Sequence, residues 1–269
     1  MTARVGGVAL EARSVGFSYR QPVLEEFSVC LRRGEVTGII GPNGSGKTTA
    51  LRLLDGIMTP TSGEILFEGS TPLASMSRRE IARSIAMVPQ NGTLLYSQTV
   101  FEFAMHGRAP HLSLFAFESG RDEETVREAL EMTRLSGFTH RRVAEISGGE
   151  KQRLLLARAL VQDAGVLLVD ELTANLDVNF QVELMCLVRD VTRERGLATL
   201  VVSHEINLLA AFADRIVLLC GGRTSAAGAP VEVLTRENLK DLFGLDFAVC
   251  VNDEGVPEVL PVMSERKSR

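Results

Sequence analysis

Short apolar runs that stop at glycine or proline alternate along this chain with stretches whose apolar residues recur every three to four positions. Residues 8–12 and 15–19 alternate like two half-buried strands, and 28–31 reads as a third. Residues 36–40 are almost continuously apolar, the mark of a strand covered on both faces, and run into a glycine-rich turn and a helical segment over 47–54. A strand is predicted over 63–67. A helix then starts at Ser77 and Glu80, which have capping-box spacing, and a strand over 85–88 stops at Pro89. Further on, Val126, Ala129 and Leu130 form one apolar face of a helix over 122–135, behind an acidic first turn. Residues 147–162 become apolar on most sides from Leu154, which predicts a buried helix. Strands over 166–169, 198–202 and 215–220 enclose helices over 179–195 and 207–213. Strands that alternate with helices predict an α/β fold whose mainly parallel sheet is covered on both faces. No internal repeat interrupts the pattern, and the polar residues 264–269 are expected to fray.

Composition narrows the function. The 29 basic and 34 acidic residues leave a net charge of −5, so no nucleic-acid partner is expected, because phosphate neutralisation needs clustered lysine and arginine. Cys30, Cys186, Cys220 and Cys250 are far apart. That spacing excludes a zinc ribbon and a small disulfide scaffold and fits a reducing compartment. Residues 1–10 carry one arginine and no long apolar core, so no secretory leader is expected. No apolar run is long enough to span a bilayer, so work at a membrane would require docking to a partner.

Two sites carry chemistry. Gly41-Pro42-Asn43-Gly44-Ser45-Gly46-Lys47-Thr48 matches G-x-x-x-x-G-K-[ST] and lies between a predicted strand and a predicted helix, the context this phosphate-binding loop requires. Its glycines let backbone N–H groups converge on an anion, the helix N-terminus adds positive potential, Lys47 reaches β- and γ-phosphates, and the Thr48 hydroxyl can ligate magnesium. The second site is Asp170-Glu171, which follows four apolar residues. A buried strand delivers both carboxylates to the sheet edge where the phosphate loop also sits. Asp170 can then face a magnesium ion, while Glu171 orients or deprotonates a water.

Between these sites lies Ser147-Gly148-Gly149-Glu150. Ser147 and Glu150 make a capping box, and the paired glycines expose backbone N–H groups to an outside anion. Here the chain resembles the ATP-binding-cassette (ABC) family over nearly its whole length. Tyr19 matches the aromatic residue that stacks on adenine. Residues 41–48, with Thr49, match Walker A, and Gln90 the Q-loop. Residues 147–150 match the signature motif, and Asp170 and Glu171 match Walker B and the catalytic carboxylate. Ala174-Asn175-Leu176-Asp177 matches the D-loop, and His204 the switch histidine. The chain departs from the family pattern at Leu172, where proline is usual, and at Ala174, Ile146, Glu150 and Glu205. The usual proline implies that Leu172→Pro would be tolerated.

The resemblance implies one ABC ATPase domain over 1–269. It would comprise a RecA-like P-loop NTPase core of about 1–90 and 163–250 with an N-terminal antiparallel β subdomain, a helical lobe of about 91–162 that carries the signature motif, and a tail of 251–269. It further implies that ATP and Mg2+ bind, with Thr48, Gln90 and Asp170 around the metal and Glu171, His204 and Gln90 as the catalytic set. Two copies would form a head-to-tail dimer docked peripherally on the cytoplasmic face of the membrane, against integral permease subunits and, through them, a substrate-binding protein. The segment Gly107-Arg108-Ala109-Pro110-His111 and residues 242–247 look like those of importers for iron–siderophore, haem and cobalamin complexes. The first is expected in the lobe that meets the membrane partner. The alternatives are an ABC ATPase serving another solute and, less favoured, a soluble non-transport ABC protein. The single motif set, without sustained heptads, argues against translation and repair types. The absence of Asn-Lys-x-Asp argues against a guanine-binding switch.

Overall fold

The structure, a computed structural model, describes residues 6–90, 92, 94–112, 119–173 and 176–262. In chain order its elements are β1 (Val8–Ser18), β2 (Pro22–Arg32), β3 (Val36–Ile40), α1 (Lys47–Leu54), β4 (Ser62–Phe67), β5 (Thr71–Pro72), α2 (Arg78–Ser84), β6 (Ile85–Val88), α3 (Val100–Met105), α4 (Gly120–Met132), α5 (Gly148–Val161), β7 (Val166–Asp170), α6 (Val178–Arg195), β8 (Ala198–Val202), α7 (Ile206–Phe212), β9 (Arg215–Cys220), β10 (Arg223–Gly228), α8 (Pro230–Val233), α9 (Arg236–Phe243), β11 (Phe247–Val251) and β12 (Pro257–Pro261).

One ten-stranded sheet, in the order β5-β4-β1-β2-β10-β9-β3-β8-β7-β6, joins an antiparallel half to a parallel half. β9, β3, β8, β7 and β6 are mutually parallel, and β3, β7 and β8 are buried at every residue, as their unbroken apolar runs require. The antiparallel half is built on β1, which pairs with β2 on one side and β4 on the other. Sequence alternation suggested two strands where β1 is one. Ser14, at φ 45°, produces a register shift near its middle and breaks the alternation without ending the strand. Two cores result. One lies under the antiparallel half and α1, around Phe27, Leu51 and Leu54, and the other lies on the opposite face with α5, α6 and the helices α3 and α4.

Gly107 to His111, expected in the lobe that meets a membrane partner, lies between α3 and α4 and ties neighbouring elements together as a strap. Gly107 and Arg108 are buried. Arg108 pairs with Asp122 of α4 at 2.8 Å and donates to the Val161 carbonyl at the end of α5. Two hydrogen bonds from Ser119 and the Arg108 guanidinium hold the Asp122 carboxyl down to about 2. The Pro110 carbonyl accepts from Arg79 and Arg83 of α2, and His111 Nε2 bonds the Gln162 carbonyl at 2.8 Å. Gln162 donates in turn to the carbonyls of Ala82 and Ile85. The strap therefore ties the helices carrying Ser147 to the element that precedes Gln90.

A Cβ on Gly107 would lie 2.2 Å from the Arg158 carbonyl and 2.9 Å from Val161 Cβ. Neither the backbone carbonyl nor the packed helix can yield cheaply. Gly107→Ala is therefore expected to cost about 1–3 kcal/mol, read as a lowered melting temperature. An unchanged melting curve would show that the strap is not in close contact with α5.

Candidate active site

Four adjacent parallel strands each release a polar group just past their carboxyl ends. β3 opens into the loop of residues 41–46 and then α1. β7 ends on Asp170 and is followed by Glu171. Gln90 follows β6 by two residues, and His204 follows β8 by two. Within these buried strands the polar side chains before the last residue are the threonines Thr37 and Thr199, and the charged and amide groups gather at this one edge.

The loop glycines differ in what they require. Gly44 has φ +80° with open space around it, so it serves backbone shape. A Cβ on Gly41 would lie 2.4 Å from the Leu219 carbonyl, so Gly41 serves close approach. Gly46 meets both demands, at φ +104° and 2.6 Å from Leu24. Ser45 Oγ is buried without a hydrogen-bond partner. Lys47 is buried, and its Nζ donates to the carbonyls of Gly41 and Pro42 at 2.8 and 3.0 Å. Burial pulls its ammonium below the ordinary lysine value, although the charges of Glu171 and Asp170 oppose the shift. Pro42 is half-buried and Thr49 buried, whereas Asn43 and Thr48 are exposed.

Burial raises the Asp170 carboxyl, with the neighbouring Glu171 charge as the next cause, while Lys47, Arg52 and His204 pull it back. A desolvated carboxylate that gains from every nearby cation suits a divalent ion. Magnesium takes one or two protein oxygens and fills its shell with phosphate and water. With the Thr48 hydroxyl exposed above and the Ser45 hydroxyl unpartnered, the donor set fits a nucleotide–magnesium complex.

Glu171 holds the site's strained backbone. Its φ is +47°, in the left-handed region, and its N–H donates to the Val202 carbonyl of β8 at 2.9 Å. Its carboxylate accepts from Gln90 Nε2 at one oxygen, and His204 Nε2 lies 2.5 Å from the other. One carboxylate thus joins groups from three neighbouring strands. The motifs implied the three residues but not their mutual contacts. The Glu171 backbone conformation was likewise invisible, because glutamate gives no sequence signal for positive φ.

The remaining predicted residues lie apart from this cluster. The exposed Tyr19 ring stands edge-on to Phe17 at 4.9 Å, with its hydroxyl 3.5 Å from Met58 Sδ. Ser147 and Glu150 form the expected capping box: the Ser147 N–H donates to Glu150 Oε2 at 2.6 Å, and the Glu150 N–H donates to Ser147 Oγ at 3.3 Å. Gly148 is exposed. Gly149 is buried beneath Phe180, whose ring would lie 2.7 Å from an added Cβ, a contact the sequence reading missed. Among the described residues no hydrogen bond joins 147–150 to the phosphate loop. Asp177 caps α6 by accepting from the Phe180 N–H at 3.1 Å. Ala174 and Asn175 of the D-loop segment, like residues 264–269, lie outside the described residues.

Comparison with known proteins places this geometry among relatives. A family model described as ABC transporter matches residues 24–174. The cobalamin import ATP-binding protein BtuD of Halobacterium salinarum is 39% identical over 227 residues, covering 84% of this chain. The match spans only 56% of that relative's length. The ferric enterobactin transport ATP-binding protein FepC of Escherichia coli is 34% identical over 264 residues, covering 97% of this chain and 96% of that protein. A solved structure described as an inward-facing metal-chelate type ABC transporter superposes with a TM-score of 0.82 at 27% identity, covering 95% of this chain and 98% of that one.

The placement of Leu172 argues against the expected tolerance of Leu172→Pro. Leu172 is 2% exposed and packs in the larger core, directly after the strained Glu171. Proline there would empty part of that core and restrict the preceding backbone. Leu172→Pro is expected to destabilise the fold by about 2 kcal/mol or more, measured by thermal unfolding. A variant as stable as the parent would show that the core closes around the smaller side chain.

Proposed function

The chain belongs to the ABC transporter family, and from that premise we propose that it is the ATP-hydrolysing subunit of an importer for a metal chelate. The observation that carries this reading is the convergence of Lys47, Asp170, Glu171, Gln90 and His204 on one sheet edge beside a glycine-shaped anion loop. The loop N–H groups and the α1 N-terminus bind the phosphates of ATP, and Lys47 exchanges its two carbonyl partners for phosphate oxygens. Tyr19 offers an exposed face to the adenine. Thr48, Asp170 and Gln90 would hold Mg2+, which supplies charge neutralisation on the phosphates. Glu171 orients the attacking water and draws off its proton, Gln90 steadies the carboxylate, and His204 moves between the carboxylate and the terminal phosphate.

Ser147 and Gly148 are exposed at the start of α5, and in this reading the Ser147 hydroxyl and the Gly148 N–H serve the nucleotide of a second copy. A homodimer then encloses each ATP between Walker A of one copy and the signature motif of the other. Among the described residues no helix is long and apolar enough to cross a membrane. In this reading transport runs through separate permease subunits, with this chain peripheral on their cytoplasmic side and a substrate-binding protein delivering cargo, a reading supported by the relatives' names as import and transport ATP-binding proteins. Iron–siderophore, haem and cobalamin complexes are the cargo class, supported by the names of the relatives and by the likeness to a metal-chelate type transporter.

Glu171→Gln keeps the size and the hydrogen-bonding shape but cannot accept a proton. It is expected to bind ATP, lower turnover by about 100-fold or more and accumulate as an ATP-bound dimer. Cells carrying it should lose uptake of labelled ferric siderophore, haem or cobalamin. Normal turnover would remove Glu171 from the mechanism. Loss of an unrelated solute alone would reject the cargo class.

A further inference from the structure

His204 is half-exposed, and the turn that carries it is weakly fixed from within. Beyond β8 the chain passes through buried Ser203, then His204 and Glu205, into α7, a helix of only seven residues. Glu205, at the N-cap, makes no side-chain cap. The local ties are the Glu205 N–H on Ser203 Oγ at 3.1 Å and the Leu209 N–H on the Glu205 carbonyl at 3.0 Å.

The stronger anchor comes from the C-terminal end of the described chain. Asn207, in the first turn of α7, meets β12 through both ends of its amide. Its Nδ2 donates to the Val259 carbonyl at 3.1 Å, and its Oδ1 accepts from the Val259 N–H at 2.8 Å. In the β11–β12 hairpin Val259 lies opposite Val249, while Val262 donates to Asp246 and Asn252 to Val256. That alternation makes 249–259 the pair without ladder hydrogen bonds, so the Val259 N–H and C=O both face outward. The Asn207 side chain occupies that edge as a neighbouring strand's peptide group would.

The hairpin behind it is fixed. Val259 is 5% exposed, Phe247, Val249 and Val256 pack on the larger core, and the Phe247 ring lies 5.8 Å from Phe243. An amide saturated on both sides by a packed strand holds a backbone more firmly than the open start of a short helix can.

We propose that Asn207, clamped on β12, is a positioning residue that sets the turn carrying His204, so that the C-terminal hairpin governs the rate of ATP hydrolysis. The inference rests on the reading that His204 acts at Glu171. Asn207 lies three positions beyond His204 and touches neither nucleotide-site carboxylate. Its influence on His204 runs through the backbone of residues 204–206. Loss of the clamp leaves the phosphate loop intact and widens the range of His204 orientations.

The test compares Asn207→Ala, His204→Ala and the double variant in the full-length chain with its membrane subunits co-expressed, reading kcat, KM and equilibrium ATP affinity. Asn207→Ala is expected to lower kcat about tenfold, with KM and ATP affinity unchanged, the scale of about one net hydrogen bond. On the His204→Ala background the same change should alter kcat by less than about twofold, because the two act on one step. An equal loss in both backgrounds, no loss in the parent, or a loss confined to ATP affinity overturns the proposal. If Asn207→Ala does not fold, Val259→Pro removes the N–H from the other side of the pair and must show the same dependence on His204. Full turnover in His204→Ala alone rejects the underlying role of His204, an outcome distinct from failure of the clamp.

Discussion

A carboxylate delivered by a strand buried on both faces must find its partners at the strand's end, and Glu171 is where that constraint acts. β7 admits no polar side chain before Asp170. The next residue turns out of the sheet at φ +47°, a conformation that costs about 1–3 kcal/mol and persists only where the surroundings enforce it. They do so from both sides: β8 takes the Glu171 N–H on its last carbonyl, while Gln90 beyond β6 and His204 beyond β8 share the carboxylate. The order of parallel strands thus assembles the reactive cluster, and any shift of β6 or β8 against β7 reaches Glu171 directly.

That arrangement places two mechanical inputs on one group. On the β6 side, the strap from Gly107 to Gln162 ties the helical layer to α2 and the start of β6, which leads to Gln90. On the β8 side, the hairpin grips α7 behind His204. Ser147 stands at the far end of α5 from Gln162, so movement of that helix has a path to the carboxylate through hydrogen bonds rather than through apolar contact alone.

Much of this was legible in the sequence. The phosphate loop, the Asp170-Glu171 pair and the central strands follow from apolar runs that end at polar residues, and the capping boxes at Ser77 and Ser147 formed as spaced. The elements that escaped are short or lie near the C-terminal end of the described chain. α3 and α9 are short, β10 alternates without a large apolar face, and β11–β12 straddles residues 250 and 251, where the resemblance implied that a tail began. At the site, motifs identified residues but not contacts. Nothing in the letters shows that Lys47 folds onto the Gly41 and Pro42 carbonyls, that Phe180 roofs Gly149, or that Asn207 reads as a strand. The packing of Leu172 in the larger core was likewise invisible, because the family pattern speaks only to the residue type at that position.

In the proposed dimer each chain holds half of two hydrolytic sites. Mixing Lys47→Ala with Ser147→Arg tests it most directly, because one variant lacks the phosphate grip and the other the facing signature surface. Each alone should be inactive. Their mixture, once heterodimers are verified by tagged co-purification, should regain turnover from the one composite site that carries neither change. Verified heterodimers with no turnover, beside an active parent, would contradict the shared-site account.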